Sequence, residues 1–398
     1  MFSPRHYESA SWRKESEDGM YQIKSNQNSN TLYKILYTLY FVFMTVFTKG
    51  TFDLIHAGHM RYLTKAKSLG DKLIVGVVSD LSRERQKGKK PLLPEKLRRE
   101  VVEGFKQVDE AIIIEEDNLL KTVKKIKPDI LFTIETNIES GVVDKKIEKF
   151  VESYGGKVIV EPQIKPYFTV KKMIDRMAKL KVKQYIERSL GTLNLRIKEE
   201  DRQLLTNKPG FEFVISFSDA DRQGGDKHIG VGKTEPISCL VVLREKAHKE
   251  KQKIVFTGGS WDILHIGHIR YLRDASKKGD ILVVGVASNN NIRKFKGDGR
   301  PVIDEDSRAG LINFVKGVDT TVIYDDVMVI LQLLKPDVLW TPEEDWNDPK
   351  TSAEGKLVLG YGGEVIKAKK GSDEVSASKI IYNLAGVKVK QIFKKLLD

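Results

Sequence analysis

The chain repeats itself. Residues 45–63 read TVFTKGTFDLIHAGHMRYL, and residues 254–272 read IVFTGGSWDILHIGHIRYL, at a shift of 209. His56 thus matches His265, and His59 matches His268. The register then holds between 207 and 210 along the chain: LIVGV (73–77) faces LVVGV (282–286), and Lys87-Gly88 faces Lys296-Gly297. Arg98 and Asp109 face Arg308 and Asp319, KPDIL (127–131) faces KPDVL (335–339), and Tyr154-Gly155-Gly156 faces Tyr361-Gly362-Gly363. Chance similarity does not hold one register over such a length, so the chain carries a duplicated domain.

Each copy has the rhythm of an α/β fold. A β-branched run (45–48, 253–257) is followed by a turn, a helix and a near-continuous apolar run (72–78, 281–287). Unbroken apolar runs suit parallel strands covered on both faces. Further strands are expected near 110–114, 129–133 and 157–160, and near 320–324, 337–340 and 364–368, with helices between them. This alternation predicts βαβ units and an open parallel sheet in each copy. The expected organisation is an N-terminal extension (1–43), a first domain (44–180), a small linking subdomain (181–252) and a second domain (253–398). The apolar stretch 35–43 is too short to span a bilayer before the charged Lys49, and no small-residue cleavage site follows it. The loop 219–228 in the linker holds aspartates and His228 at a spacing that fits no metal-ligand pattern, and it reads as a solvated turn. A single cysteine, Cys239, precludes an intrachain disulfide and suits a reducing, cytoplasmic setting.

The chemistry is concentrated in the first turn of each copy. Strand one ends in Gly50-Thr51-Phe52-Asp53 or Gly259-Ser260-Trp261-Asp262, and a helix opens near His56 or His265. In parallel sheets ligands sit beyond the carboxyl ends of the strands, where this turn lies. A helix N-terminus offers free N–H groups and a positive dipole end to a phosphate. Histidines three residues apart project from one side of a helical turn, and Gly58 and Gly267 between them let a phosphate approach the backbone. Neutral or cationic imidazoles there can donate to phosphate oxygens as charge develops in an in-line displacement. Neither turn contains GxGxxG, the rival phosphate fingerprint.

GTFDLIHAGHMRYL and GGSWDILHIGHIRYL resemble the signature of the cytidylyltransferase-like nucleotidyltransferase superfamily, over roughly residues 44–180 and 253–386. The resemblance implies two tandem Rossmann-like domains. It also implies transfer of a nucleotidyl group from ATP or CTP to a phosphorylated small molecule, with Mg²⁺ and release of pyrophosphate. It assigns catalytic roles to His56, His59 and Lys87, and to His265, His268 and Lys296. Nucleotide contacts fall on Gly50, Thr51, Asp53, Gly58 and Arg98, and on Gly259, Ser260, Asp262, Gly267, Arg308, Asp345, Ser376 and Ser378; no residue is assigned to bind metal. Lys296 and Arg308 are expected to neutralise phosphates, the lysine as a point charge and the arginine as a fork. The first copy lacks an acidic-aromatic pair equivalent to Asp345-Trp346, and it keeps one hydroxyl, Thr169, where the second has Ser376 and Ser378. The second copy is therefore expected to carry most of the chemistry.

The segment KGDGRPV (296–302) is similar to the adenylyltransferase domain of the bifunctional heptose-phosphate enzymes, which implies a sugar phosphate as acceptor. The tandem arrangement is similar to ethanolamine-phosphate cytidylyltransferase, so a phospholipid-headgroup or polyol phosphate is the alternative. A homo-oligomer is compatible with either. A nucleotide-sensing or nucleic-acid-binding role would use the net charge of +13, but no RNA-recognition motif or interleaved aromatic–basic platform supports it.

Overall fold

The computed structural model describes residues 43–162, 239–297, 300–343, 352–369 and 380. The N-terminal extension up to residue 42, most of the linking subdomain, Asp345, Thr169, Ser376 and Ser378 lie outside the described residues.

The first copy runs β1 (Thr45–Gly50), α1 (Ala57–Lys67), β2 (Lys72–Val78), α2 (Asp80–Lys87), α3 (Glu95–Glu103), β3 (Glu110–Ile114), α4 (Leu119–Ile126), β4 (Ile130–Ile134), α5 (Glu135–Glu139), α6 (Lys145–Ser153) and β5 (Lys157–Glu161), with a short 3-10 turn at Glu116–Asn118. A helix α7 (Cys239–Lys249) precedes the second copy: β6 (Ile254–Gly259), α8 (Ile266–Ser276), β7 (Ile281–Ala287), α9 (Asn289–Lys296), α10 (Glu305–Asn313), β8 (Thr320–Tyr324), α11 (Val327–Leu334), β9 (Val338–Pro342), α12 (Ala353–Gly360) and β10 (Glu364–Ala368). The strands expected from the sequence are all present. Helix α7 falls in the stretch read as a linker, yet Leu240 and Ala247 join the second copy's core, and the Arg244 guanidinium donates to the Leu333 carbonyl at 3.1 Å.

Each copy is one parallel five-stranded sheet, in the orders β3-β2-β1-β4-β5 and β10-β9-β6-β7-β8. The strand order reverses between β1 and β4, and between β6 and β9. These are the switch points, where a crevice opens beyond the carboxyl ends. In β1, Val46 and Thr48 face the α1 side, while Phe47 and Lys49 face the α4–α6 side. Apolar cores on the two faces follow this alternation.

The two copies share a core. Val101, Val102 and Phe105 of the first pack in one cluster with Ile269, Leu272, Ile312 and Phe314 of the second. At the centre Lys106 N–H donates to the Phe314 carbonyl and Lys316 N–H donates to the Gly104 carbonyl, both at 2.8 Å. Gly104 and Lys106 match Phe314 and Lys316 at one shift, 210, so the contact is reciprocal, as in an isologous dimer whose halves lie on one chain. Gly104 permits the approach: a Cβ there would lie 2.5 Å from Ile269. On one side Arg270 of α8 forks onto Glu100 of α3 at 2.7–2.8 Å. The matching partner on the other side would be Gly310, so this ion pair is not duplicated.

Candidate active site

The turn after the first strand is strained alike in both copies. Phe52 and Trp261 have φ of 52° and 48°, values that non-glycine residues avoid. Strain kept at the same place twice marks a turn held for function. Each aromatic ring folds back over the preceding glycine; a Cβ on Gly50 would meet the Phe52 ring at 2.8 Å, and one on Gly259 would meet Trp261 at 3.0 Å. Trp261 also donates its indole N–H to the Gly285 carbonyl at 2.8 Å.

Two buried groups hold the turn from below. Asp262 accepts the backbone N–H groups of Val302 and Ile303 at 2.7 and 2.9 Å and the Arg300 guanidinium at 2.8 Å. Asp53 accepts those of Leu92 and Leu93, and burial raises its pKa. Arg308 is fully buried. It donates to the carbonyls of Ile303 (2.9 Å), Ser260 (2.6 Å) and Ala287 (2.8 Å), and to the Asn289 side chain (2.9 Å). Arg98 donates likewise to Leu93, Thr51 and Val78 carbonyls and to Asp80. Arg98 and Arg308, expected as phosphate-binding forks, thus lie beneath the turn with these bonds made. Four of the five N–H donors of each go to three carbonyl groups of the turn and its surroundings and to one side chain, acceptors that would otherwise be buried without these partners. Asp53 and Asp262 brace the turn through the backbone N–H groups that they accept.

His56 and His265 are the N-caps of α1 and α8. Each accepts through Nδ1 the backbone N–H two residues on, Gly58 at 3.1 Å and Gly267 at 3.2 Å. An Nδ1 that accepts places the ring proton on Nε2, so each capping imidazole is a neutral donor. The second histidine stacks on the first, at 3.9 Å between His56 and His59 and 3.8 Å between His265 and His268. His268 Nδ1 faces the His265 backbone N–H at 3.4 Å, whereas His59 Nδ1 is buried without a partner. Burial pulls His56 and His265 down to about 4. His59 and His268 lie well below their ordinary value, chiefly through burial and then through the neighbouring imidazole. The sequence left the charge state open; the structure makes all four histidines neutral at pH 7.

This has a consequence for stability. His56 and His265 titrate near 6.5 in the unfolded chain and about 4 in the folded one. As pH falls, the unfolded chain takes protons first, so stability is complete above 6.5 and is lost toward 4. Between pH 7 and 5, His56 and His265 should each remove about 2 kcal/mol. Thermal melts should show this slope. His56→Asn should flatten it, and an unchanged slope would refute the assignment.

Lys296, at the end of α9, reaches Ser260 Oγ at 3.1 Å and so stands over the second turn. Lys87 is exposed at the equivalent end of α2. The structure thus brings Gly259, Ser260, Gly267, His265, His268 and Lys296 to one crevice mouth, and Gly50, Thr51, Gly58, His56 and His59 to the other. Sequence reasoning missed what lies deeper on the α4–α6 side. There Lys49, nearly fully buried, pairs with Glu116 and donates to Asn137 Oδ1 at 3.1 Å, and Asn137 donates in turn to Thr133 at 2.9 Å. The signal was present as Lys49 against Gly258, the one position in the two matching lines where a charged residue faces an uncharged one.

A duplicated parallel sheet with a histidine-capped helix at each switch point defines a tandem nucleotide-binding α/β protein. The chain belongs to the cytidylyltransferase-like family, whose profile matches residues 47–190 and 256–383. It is similar to the bifunctional protein HldE of Helicobacter pylori, 46% identical over 112 residues, covering 27% of this chain and 24% of that protein. It is also similar to HldE of Geobacter metallireducens, 44% identical over 141 residues, covering 33% and 27%. The chain thus spans about a quarter of the length of these relatives. A solved lipopolysaccharide core biosynthesis protein from Thermoplasma volcanium is 32% identical and covers 31% of this chain and 98% of that one, with a TM-score of 0.27. Among the described residues no helix is long and apolar enough to cross a membrane.

Proposed function

We propose that the chain transfers a nucleotidyl group from a nucleoside triphosphate, ATP before CTP, to a sugar phosphate, and that the second copy carries the reaction. The observation that carries this is the pair of neutral imidazoles at the start of α8, with Nε2–H of the capping His265 free to donate where a helix N-terminus already attracts phosphate. An acceptor phosphate oxygen attacks the α-phosphorus. The bond from that phosphorus to the bridging oxygen breaks, and pyrophosphate leaves. The enzyme's share is to hold the triphosphate in line and to donate hydrogen bonds to the oxygens that gain charge. The sugar-phosphate choice rests on the likeness to the HldE proteins, and the alternative acceptors are headgroup or polyol phosphates.

Mg²⁺ would come with the triphosphate, neutralising its oxygens while keeping much of its water shell. Asp262 fits poorly as a ligand for it, since its oxygens already accept three donors. Pyrophosphate release from ATP and CTP over a panel of sugar, headgroup and polyol phosphates tests the reading. Acceptor-dependent release with sugar phosphates is expected, and none with any acceptor refutes it. Lys296→Ala should raise the KM for the triphosphate about tenfold, as loss of one charge-assisted phosphate contact implies, with a smaller change in kcat. An unchanged KM would remove Lys296 from the phosphate side.

A further inference from the structure

The two crevices differ at one point of the strand-one end. In the first copy Lys49 spans the switch point: it stands at the end of β1, and its ammonium reaches Asn137, beyond the end of β4, and Glu116, beyond the end of β3. Ser82 holds the Glu116 backbone N–H at 3.0 Å, and Ser82 donates to Asp117 at 2.5 Å, so the anchor of the ion pair is itself fixed. Thr133, at the floor, accepts the Asn137 amide N–H at 2.9 Å. In the second copy the matching residue is Gly258, so no side chain leaves the strand at this position. The neighbouring wall is Tyr324 in place of Ile114; its hydroxyl lies 3.0 Å from where a Gly258 Cβ would be. Thr341, the counterpart of Thr133, has a buried hydroxyl without a hydrogen-bond partner. One crevice is thus bridged by a charged side chain, while among the described residues the strand ends of the other carry the Tyr324 and Thr341 hydroxyl groups, the second of them unmet.

We propose that Lys49, tied to Glu116 and Asn137, closes the acceptor half of the first crevice, leaving the first copy a nucleoside-triphosphate site that binds without transferring. The proposal rests on the nucleotidyltransferase reading above. The phosphate half of the first crevice is intact by geometry, because His56 caps α1 as His265 caps α8 and the Phe52 turn has the conformation of the Trp261 turn. What the first copy lacks is room for a second substrate on the α4–α6 side. Burial and the charge of Arg83 bring the Lys49 ammonium down to about 7, so its hold also depends on the paired carboxylate staying in place.

Nucleotide counting and a gain of transfer test this together on the full chain. Without acceptor, equilibrium dialysis with labelled ATP should find two nucleotides per wild-type chain, one for each crevice. In the His265→Ala/His268→Ala chain, where only the first crevice keeps its histidines, pyrophosphate release should stay at background with every acceptor of the panel. Adding Lys49→Gly to that chain should raise acceptor-dependent release about tenfold, whereas Lys49→Met, which keeps the bulk, should not. The reciprocal Gly258→Lys, made in the otherwise native chain, should cut transfer about 100-fold while the ATP dissociation constant moves by less than about threefold. That variant reads the proposal even where Lys49→Gly fails to fold. The proposal is overturned by a single nucleotide per wild-type chain, by transfer from the first copy with Lys49 in place, by a Lys49→Gly chain that binds nucleotide and stays silent, or by a Gly258→Lys chain that transfers normally. A wild-type chain that binds two nucleotides and transfers to no acceptor refutes the transferase reading instead, and the two failures are thereby distinct.

Discussion

With His265 and His268 both replaced by alanine, acceptor-dependent pyrophosphate release falls by roughly a thousandfold or more. Each imidazole is asked for about 2–4 kcal/mol of transition-state stabilisation, the value of one well-placed oxyanion donor. The pair does not act additively, since the rings stack at 3.8 Å and His268 Nδ1 faces the His265 backbone N–H; the second replacement removes less than the first. The fold should survive. Loss of the Nδ1 bond to Gly267 is the loss of an N-cap, worth about 1 kcal/mol, while removal of two desolvated imidazoles relieves part of their burial cost at acid pH. Measured kcat/KM with the best acceptor, beside a thermal melt, separates the two effects. Retained activity in this double variant, with activity lost in His56→Ala/His59→Ala, would move the reaction to the first copy and end the proposed asymmetry.

Much of the fold was legible because a repeat samples the same solution twice. The apolar runs 72–78 and 281–287 could only be buried parallel strands, and both are. The histidine-opened helices followed from the strand–turn–helix order, and His56 and His265 are their N-caps. What the sequence hid was of two kinds. One was whether a charged residue faces in or out. Arg98 and Arg308 lie in helices whose surroundings are set by loops, and only the structure shows the Thr51 and Ser260 carbonyls waiting for them. The other was contact between distant segments. Glu100 and Arg270 are 170 residues apart, and the reciprocal bonds of Lys106 and Lys316 leave no mark in either local pattern. Lys49 stands between these cases. Its mismatch with Gly258 is visible in the aligned repeats, but its partners Glu116 and Asn137 come from two other strand ends.

The largest expected effect on stability belongs to Arg308. Its guanidinium, fully buried, satisfies three carbonyls and the Asn289 amide oxygen, and one of those carbonyls is that of Ser260 in the turn after β6. Arg308→Met keeps much of the stem's packing and deletes every donor. The acceptors left behind are buried, and each costs about 1–3 kcal/mol unless water reaches it. Since water enters from the crevice side more easily than through the core, a net loss of about 3–5 kcal/mol is expected, the range for breaking a buried charged network from one side. Arg308→Lys should recover little, because one ammonium cannot serve acceptors arranged around a planar fork. A phosphate-contacting arginine would behave oppositely: its loss would raise the KM for ATP and leave the melting temperature nearly unchanged. The decisive comparison is therefore a thermal or urea melt of Arg308→Met beside one of Lys296→Ala. A clear drop in the first with none in the second fits the buried-support role. An unaltered melt with a tenfold or greater KM change for Arg308→Met, on the order of 1.4 kcal/mol of binding, would return the guanidinium to the nucleotide.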